Sequence, residues 1–96
     1  MATTWRLSRR AARDLDDIWD YTATRWDEEQ AERYLRQIQQ AIERIAASPD
    51  RGRRRDDIKA GYFSASTGAH LIFYRVGDTL DVVRILHQRM DPARHL

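Results

Sequence analysis

Three histidines, His70, His87 and His95, are the side chains best suited to acid–base chemistry near neutral pH. Their spacing matches no metal-ligand motif, and the chain has no cysteine that could act as a thiolate ligand. No serine stands in a nucleophile motif, and no glycine-rich phosphate-binding loop is present. The sequence therefore predicts neither a metal site nor a cofactor.

The cationic residues are numerous and unevenly distributed. Only Lys59 among the 17 cations is a lysine, and the others are arginines, which suit bidentate pairing with carboxylate or phosphate. Residues 1–50 hold eight Arg and ten Asp or Glu (−2), whereas residues 51–96 hold nine Lys or Arg and five Asp or Glu (+4). The basic C-terminal half suits an acidic or nucleic-acid-bound target.

An arginine-rich run at residues 51–55 has two interpretations. Its four arginines could contact phosphates, or they could form a solvated loop paired with Asp56 and Asp57. The run lacks the interleaved aromatic residues of a single-strand binding platform. The helices predicted below are acidic, which argues against direct reading of a DNA sequence.

Two helices must position these groups, because apolar residues recur at three- and four-residue steps through the first half of the chain. Ser8 is the predicted N-cap of the first helix, and Asp27, with Gln30 three residues later, begins the second. The sequence Ser48-Pro49 ends the second helix. The first stripe consists of Ala11, Ala12, Leu15, Ile18, Trp19 and Thr22, and the second of Ala31, Tyr34, Leu35, Ile38, Ile42 and Ile45.

Strands flank this helical hairpin in the sequence. Residues 2–7 form a predicted first strand with Trp5 and Leu7 on one face, and three further strands are predicted near residues 62–66, 71–76 and 80–87. Gly77-Asp78 predicts a type II′ hairpin turn, and residues 88–96 are predicted to be irregular. The order β-α-α-β-β-β indicates an α+β fold, in which the helical hairpin packs on a small antiparallel sheet.

The length of 96 residues indicates one domain, 1–96, with a thin core. No signal peptide and no apolar run of membrane-spanning length are recognisable. The absence of cysteine suits a reducing cytoplasm. We expect no membrane partner.

Several motifs resemble the ParE/RelE superfamily of type II toxins. Residues 71–76 (LIFYRV) are similar to its "IFYR" strand, and residues 83–91 (VRILHQRMD) to the ParE-type ending "RVLHxRxD". The opening from Leu7 to Tyr21 resembles "LSxxAxxDLxxIwdY", and residues 48–53 resemble the helix exit "hPxxGr". One departure is Gly61-Tyr62-Phe63, where the family often has "GLR"; the neighbouring Lys59 is a candidate substitute for the missing cation.

The resemblance implies a toxin that is not an enzyme, that inhibits DNA gyrase and that a ParD-like antitoxin neutralises. It implies operator DNA as a partner only through the antitoxin. We expect the antitoxin to contact Tyr21 and Trp26 at the end of the first helix. The predicted target-binding residues are His87, Arg89, Met90, Asp91, Arg94 and Lys59.

Two alternatives remain open at this stage. A RelE-like toxin would cleave mRNA on the ribosome without a metal, which requires a base, cations and an acid within hydrogen-bond reach. The candidate residues for that chemistry are His70, His87, Tyr74, Arg75, Arg84 and Lys59. The second alternative is a non-toxic co-repressor subunit.

Overall fold

The computed structural model describes residues 4–96 as two long helices packed on one face of a five-stranded sheet. In chain order the elements are β1 (Trp5–Leu7), α1 (Arg9–Arg25), α2 (Glu28–Ala47), β2 (Arg53–Arg54), β3 (Tyr62–Thr67), β4 (His70–Val76), β5 (Leu80–His87) and α3 (Pro92–His95). A single 3-10 turn, Pro49–Arg51, connects α2 to β2. The α+β class and the helical hairpin are confirmed; residues 2 and 3 of the predicted first strand lie outside the described residues.

Both helices begin at the caps that the sequence predicts. The Ser8 hydroxyl accepts the backbone N–H of Ala11 at 3.0 Å, and the Asp27 carboxylate accepts that of Gln30 at 2.7 Å. Each cap satisfies a helix N–H that has no partner within the helix. Only two residues separate α1 from α2, so the helices form the expected antiparallel hairpin.

The apolar face of α1 differs from the predicted stripe at two positions. Ala12 is exposed and Asp14 is largely buried. Each residue of an α-helix turns by about 100°, so Ala12 points away from the sheet although Ala11 is fully buried. Asp14 lies next to the buried face formed by Ala11 and Ile18, and a specific partner described below compensates its burial.

The sheet has the order β1-β5-β4-β3-β2 and is mixed, not purely antiparallel. β3, β4 and β5 form the predicted antiparallel meander. β1 pairs with β5 in parallel, with Trp5 opposite Leu80 and Leu7 opposite Val82. The chain between β1 and β5, which includes the helical hairpin and strands β2 to β4, provides the long connection that a parallel pair requires. Sequence reasoning did not identify the neighbour of β1.

The type II′ turn predicted at Gly77-Asp78 is not formed there. The β4–β5 connection has three residues, since Val76 pairs with Leu80, and Gly77 does not have a positive φ. The β3–β4 connection has two residues, and Gly68 has a φ of 55° while Ala69 does not have a positive φ. A type II′ turn requires a positive φ at its first central residue, so its requirement is met at Gly68 and not at Gly77.

The main core lies between the sheet and the hairpin. Ile38 and Ile42 of α2 pack with residues of the central strands, among them Ile72, Tyr74 and Ile85. Trp5 and Leu7 both pack against this core, which confirms that they share one face. On the opposite face of the sheet Phe73 and Leu86 are also buried.

Two segments predicted to be irregular have local structure. Arg53 and Arg54 form β2 because they pair with Ser64 and Phe63, a tertiary interaction that has no local sequence signal. The last residues form α3, whose N-cap is Asp91 and whose first residue is Pro92. Asp followed by Pro is typical of the start of a helix, and the sequence analysis did not use this pattern.

Candidate functional site

The helical hairpin and β1 enclose an apolar groove of about 350 Å³. Trp5 and Leu7 of β1 form one wall, and Leu15 and Trp19 of α1 form another. The remaining wall comes from α2, with Glu32, Leu35, Arg36, Ile38, Gln39 and Ile42. Trp19, which the sequence places in the core, is only partly buried because it lines this groove. A groove of this composition can receive the apolar side chains of a partner segment.

Tyr21 and Trp26, the predicted antitoxin contacts, lie at the corner of the hairpin and outside the groove. Their side chains are 65% and 68% exposed. Trp26 is the C-cap of α1, and its backbone N–H donates to the Thr22 carbonyl at 2.8 Å. Exposed aromatic residues of this size are suited to a protein interface. The assignment of Tyr21 and Trp26 as antitoxin contacts stays a prediction.

Tyr34, His70 and His87 form a hydrogen-bonded and stacked group at one end of the sheet. The Tyr34 hydroxyl lies 2.6 Å from Nδ1 of His70 and accepts the Ala69 N–H at 3.1 Å. The rings of His70 and His87 pack edge to face, with their centroids 5.3 Å apart. Burial, together with the neighbouring His87, lowers the pKa of His70, and Asp14 partly opposes this shift. His70 therefore favours its neutral form.

His87 begins a compact turn that contains most of the predicted target-binding residues. Its Nδ1 accepts the Arg89 N–H at 3.1 Å, and its carbonyl accepts the Met90 N–H at 2.9 Å. The Asp91 carboxylate then caps α3 by accepting the Ala93 N–H at 3.0 Å. Arg94 lies on α3, and both Arg89 and Arg94 are exposed. The structure thus brings five of the six predicted residues together on residues 87–94.

An ion pair that sequence reasoning missed holds this segment in place. The Arg84 guanidinium binds the Asp14 carboxylate through two contacts of 2.9 Å, and both side chains are 11% exposed. Arg84 also donates to the His95 carbonyl at 2.6 Å, while Asp14 accepts the Ile85 N–H at 2.9 Å. The hydrogen bond to Asp14 raises the pKa of Arg84. In the sequence, Asp14 borders the apolar stripe of the first helix and Arg84 stands among the apolar residues of the last strand. This placement of two opposite charges was the available signal.

Lys59 does not join the C-terminal group. It precedes β3 and lies over the Tyr62 ring, with Nζ 5.7 Å from the ring centroid. Tyr62 pairs with Arg75 at one end of the sheet, whereas His70 and His87 pair at the other. Five residue steps along a strand span about 17 Å. Lys59 and His87 therefore lie near opposite ends of the sheet, and the assignment of Lys59 as a target contact stays a prediction.

The candidate nuclease residues are likewise dispersed. The Tyr74 side chain is fully buried, and its hydroxyl donates to the Pro49 carbonyl at 2.7 Å. Arg84 is held by Asp14, and Arg75 lies 3.5 Å from Asp81 near the far end of the sheet. The rings of His70 and His87 pack against each other. The six residues therefore do not surround one common point.

The arginine-rich run is partly neutralised by its own acidic residues. Arg54 pairs with Asp56 at 3.1 Å and Arg55 with Asp57 at 3.2 Å, as the solvated-loop interpretation expects. The Gly61 N–H and Arg54 lower the pKa of Asp56, and Arg55 lowers the pKa of Asp57. Arg55 also lies over the Phe73 ring, 5.4 Å from its centroid.

Within residues 4–96, no three metal-ligating side chains lie close enough together to hold an ion. No helix in the same range has the length and apolar composition needed to cross a bilayer.

Two solved structures share this architecture. One is described as the chromosomal ParDE toxin–antitoxin system of P. aeruginosa; it has a TM-score of 0.77 and 21% identity over 90% of this chain and 96% of that one. The other is the RelBE2 toxin–antitoxin complex of Mycobacterium tuberculosis, with a TM-score of 0.66 and 24% identity over 91% and 92% of the two chains. At these identities the likeness shows the fold, which is RelE/ParE-like.

The sequence comparisons are more specific. Residues 5–92 match the family described as "ParE toxin of type II toxin-antitoxin system, parDE". Toxin ParE1 of Mycobacterium tuberculosis is 52% identical over 98 residues, which cover both chains completely. Toxin ParE1 of Caulobacter vibrioides is 48% identical over 92 residues, 96% of each chain, and Toxin ParE of Escherichia coli is 33% identical over 93% of this chain and 88% of the relative. The chain belongs to the ParE toxin family of type II toxin–antitoxin systems.

Proposed function

We propose that this toxin acts without catalysis, by binding DNA gyrase through residues 87–96 so that DNA breaks persist. The proposal rests on the way in which hydrogen bonds fix the backbone of this segment. Arg89 and Arg94 are exposed, whereas the backbone that presents them is fixed by His87, Asp91 and Arg84. Pre-organised cations of this kind are suited to an acidic or DNA-bound protein surface, because little conformational freedom is lost on binding.

We further propose that a ParD-like antitoxin neutralises the toxin by binding over the helical hairpin. The apolar groove between α1, α2 and β1 supports this, because a small domain gains stability when a partner covers such a surface. The two structural neighbours are parts of toxin–antitoxin complexes. Operator DNA is then a ligand of the complex through the antitoxin.

The first experiment measures growth arrest when the toxin is expressed in cells. Replacing both Arg89 and Arg94 by Glu should abolish arrest, because it reverses the charges that face the target. The matched control replaces Arg9 and Arg10 by Glu, which makes the same change of charge at two exposed arginines of α1. A doubly reversed C-terminal variant that still arrests growth would contradict the target assignment. A wild-type protein that never arrests growth would favour the co-repressor alternative.

Deleting residues 88–96 is a more severe version of the same test. It should abolish growth arrest while the antitoxin still binds, because the hairpin groove lies elsewhere. The deletion also removes the His95 carbonyl that Arg84 contacts, so a loss of stability accompanies it. Continued growth arrest by the truncated protein would place the target site outside the tail.

The second experiment measures antitoxin affinity by titration calorimetry. Trp19→Ala should weaken binding by about 2 kcal/mol or more, because a large aromatic residue in a groove is typical of a binding hot spot. The double change Tyr21→Ala and Trp26→Ala tests the exposed corner, and we expect a loss of similar size if the antitoxin extends that far. Unchanged affinity in every variant would place the antitoxin on another surface.

A further inference from the structure

The outer edge of β3 has backbone groups available for another strand. The Tyr62 carbonyl faces β2 and accepts the Arg55 N–H at 2.7 Å. Backbone groups alternate in direction along a strand, so those of Ser64 and Ser66 face the same side. Ser64 pairs with Arg53, which is the first residue of β2, so β2 does not extend along β3 as far as Ser66. In the described residues nothing pairs with the outward N–H and carbonyl of Ser66, which is exposed.

The edge is open because the preceding chain leaves the sheet at Gly52. The Tyr74 hydroxyl holds the Pro49 carbonyl at 2.7 Å, which draws the 3-10 turn toward the helical side. A Cβ at Gly52 would lie only 1.8 Å from that hydroxyl, so glycine permits this close passage. Without this departure, Gly52 and Arg51 would continue β2 beside Ala65 and Ser66.

Arginines surround the open edge. Two adjoining clefts of about 260 and 350 Å³ share Arg51, Gly52, Ala65 and Ser66 as lining residues. Arg44 lines the first cleft and Arg53 the second. Within residues 4–96, Arg44, Arg51 and Arg53 make no ion pair, unlike Arg54 and Arg55.

Nearby acidic groups do not cancel this charge. Asp50 adjoins Arg51 in the 3-10 turn, and Asp57 is engaged by Arg55. The three unpaired arginines and Asp50 leave a local charge of about +2 at neutral pH.

The cleft that Arg44 lines is separate from the apolar groove. Arg36 and Gln39 of α2 line the groove, whereas Ala41 and Arg44 line the cleft. At about 100° per residue these pairs lie on opposite flanks of α2.

Another open stretch of sheet edge is blocked in this fold. β5 continues beyond its pairing with the short β1, but the Asp14 carboxylate accepts the outward N–H of Ile85 at 2.9 Å. The Asp14 carboxylate therefore occupies the backbone donor that an added strand would need. The edge at Ser66 has the opposite character, with free backbone groups and cationic neighbours.

We infer that the β3 edge at Ser66 is a docking site for an extended acidic segment of a protein partner. The segment adds as a short strand beyond β2, and its backbone pairs with the N–H and carbonyl of Ser66. Its carboxylates reach Arg51, Arg53 and Arg44 on either side of the edge. The arginines favour a segment with acidic side chains, and the backbone pairing requires that segment to be extended.

The test uses a blocked heptapeptide that alternates glutamate with valine, titrated into the isotopically labelled protein. We expect the Ser66 amide signal to shift and its hydrogen exchange to slow, because this amide gains a hydrogen-bond acceptor. Replacing Arg51 and Arg53 by Glu should weaken binding at least tenfold. The Arg9→Glu and Arg10→Glu control should change binding less than twofold.

A second measurement leaves the protein unchanged. A peptide with a methylated amide at its central position cannot donate to the Ser66 carbonyl, so it should bind at least fivefold more weakly. Binding that does not protect Ser66, or that the Arg51 and Arg53 variant retains, would overturn the inference. So would a single-stranded oligonucleotide that perturbs this edge while the peptide does not, since the site would then recognise phosphates.

Discussion

Replacing Arg84 by Ala tests the most specific tertiary interaction of the fold. The change removes both contacts to Asp14 and the bond to the His95 carbonyl. Asp14 keeps its hydrogen bond from the Ile85 N–H, but its carboxylate becomes an uncompensated charge with 11% of its surface exposed. Removing one partner of a buried ion pair costs roughly 3–5 kcal/mol, and the residual exposure favours about 3 kcal/mol.

The assays are urea-induced and thermal unfolding, both followed by circular dichroism. In a domain of this size a loss of about 3 kcal/mol corresponds to a melting temperature lower by roughly 12–24 °C. The matched control is Arg75→Ala, whose guanidinium is 58% exposed and lies 3.5 Å from Asp81. Its loss should be much smaller, because solvent screens an exposed pair.

A double-mutant cycle isolates the pair itself. Asp14→Ala combined with Arg84→Ala should cost less than the sum of the single changes by about 2 kcal/mol, because the second change removes a charge that the first left unpaired. Additive costs would show that the two side chains act independently. A loss below about 1 kcal/mol in Arg84→Ala alone would refute the view that this pair anchors the C-terminal segment.

Two further predictions concern Gly52 and His70. Gly52→Ala should destabilise the protein by about 1–3 kcal/mol in urea unfolding, because the new Cβ would clash with the Tyr74 hydroxyl. Tyr74→Phe should reduce the cost of the Gly52→Ala change. An equal cost with Tyr74 and with Phe at this position would contradict the clash. His70 has a lowered pKa, so the unfolded chain binds more protons as the pH falls below about 6.5. The stability that neutral His70 contributes is present above that pH and lost on acidification. His70→Gln should therefore flatten the dependence of the free energy of unfolding on pH between pH 7.5 and 5.5. Equal slopes in the wild type and the variant would contradict this.

Local signals were sufficient for the helical hairpin and the meander. Ser8 and Asp27 are caps whose hydroxyl and carboxylate act on the next turn, so their role is encoded within three residues. The stripe of α2 repeats at helical spacing and gives the buried Ile38 and Ile42. These features depend on neighbours in sequence, which is why sequence reasoning found them.

Features that depend on distant partners were missed or misplaced. β1 pairs with β5 about 75 residues away, and Arg84 binds Asp14 across 70 residues. β2 exists because Arg53 meets Ser64. The motif order also contains no information on the distance between Lys59 and His87, which lie near opposite ends of the sheet. For the site, the sequence predicts the contiguous C-terminal segment as a target contact, which stays a prediction, but it does not predict the groove, whose walls come from three elements.

The most direct test of the central claim is a supercoiling assay with purified gyrase, relaxed plasmid and the folded toxin. We expect a dose-dependent loss of supercoiling, with linear DNA released by protease treatment and suppressed by the antitoxin. The variant with Arg89→Glu and Arg94→Glu should release none, whereas the variant with Arg9→Glu and Arg10→Glu should behave as the wild type. Unaffected gyrase, with a toxin that arrests growth and leaves cut mRNA in the same cells, would contradict the account and favour the RelE-like alternative.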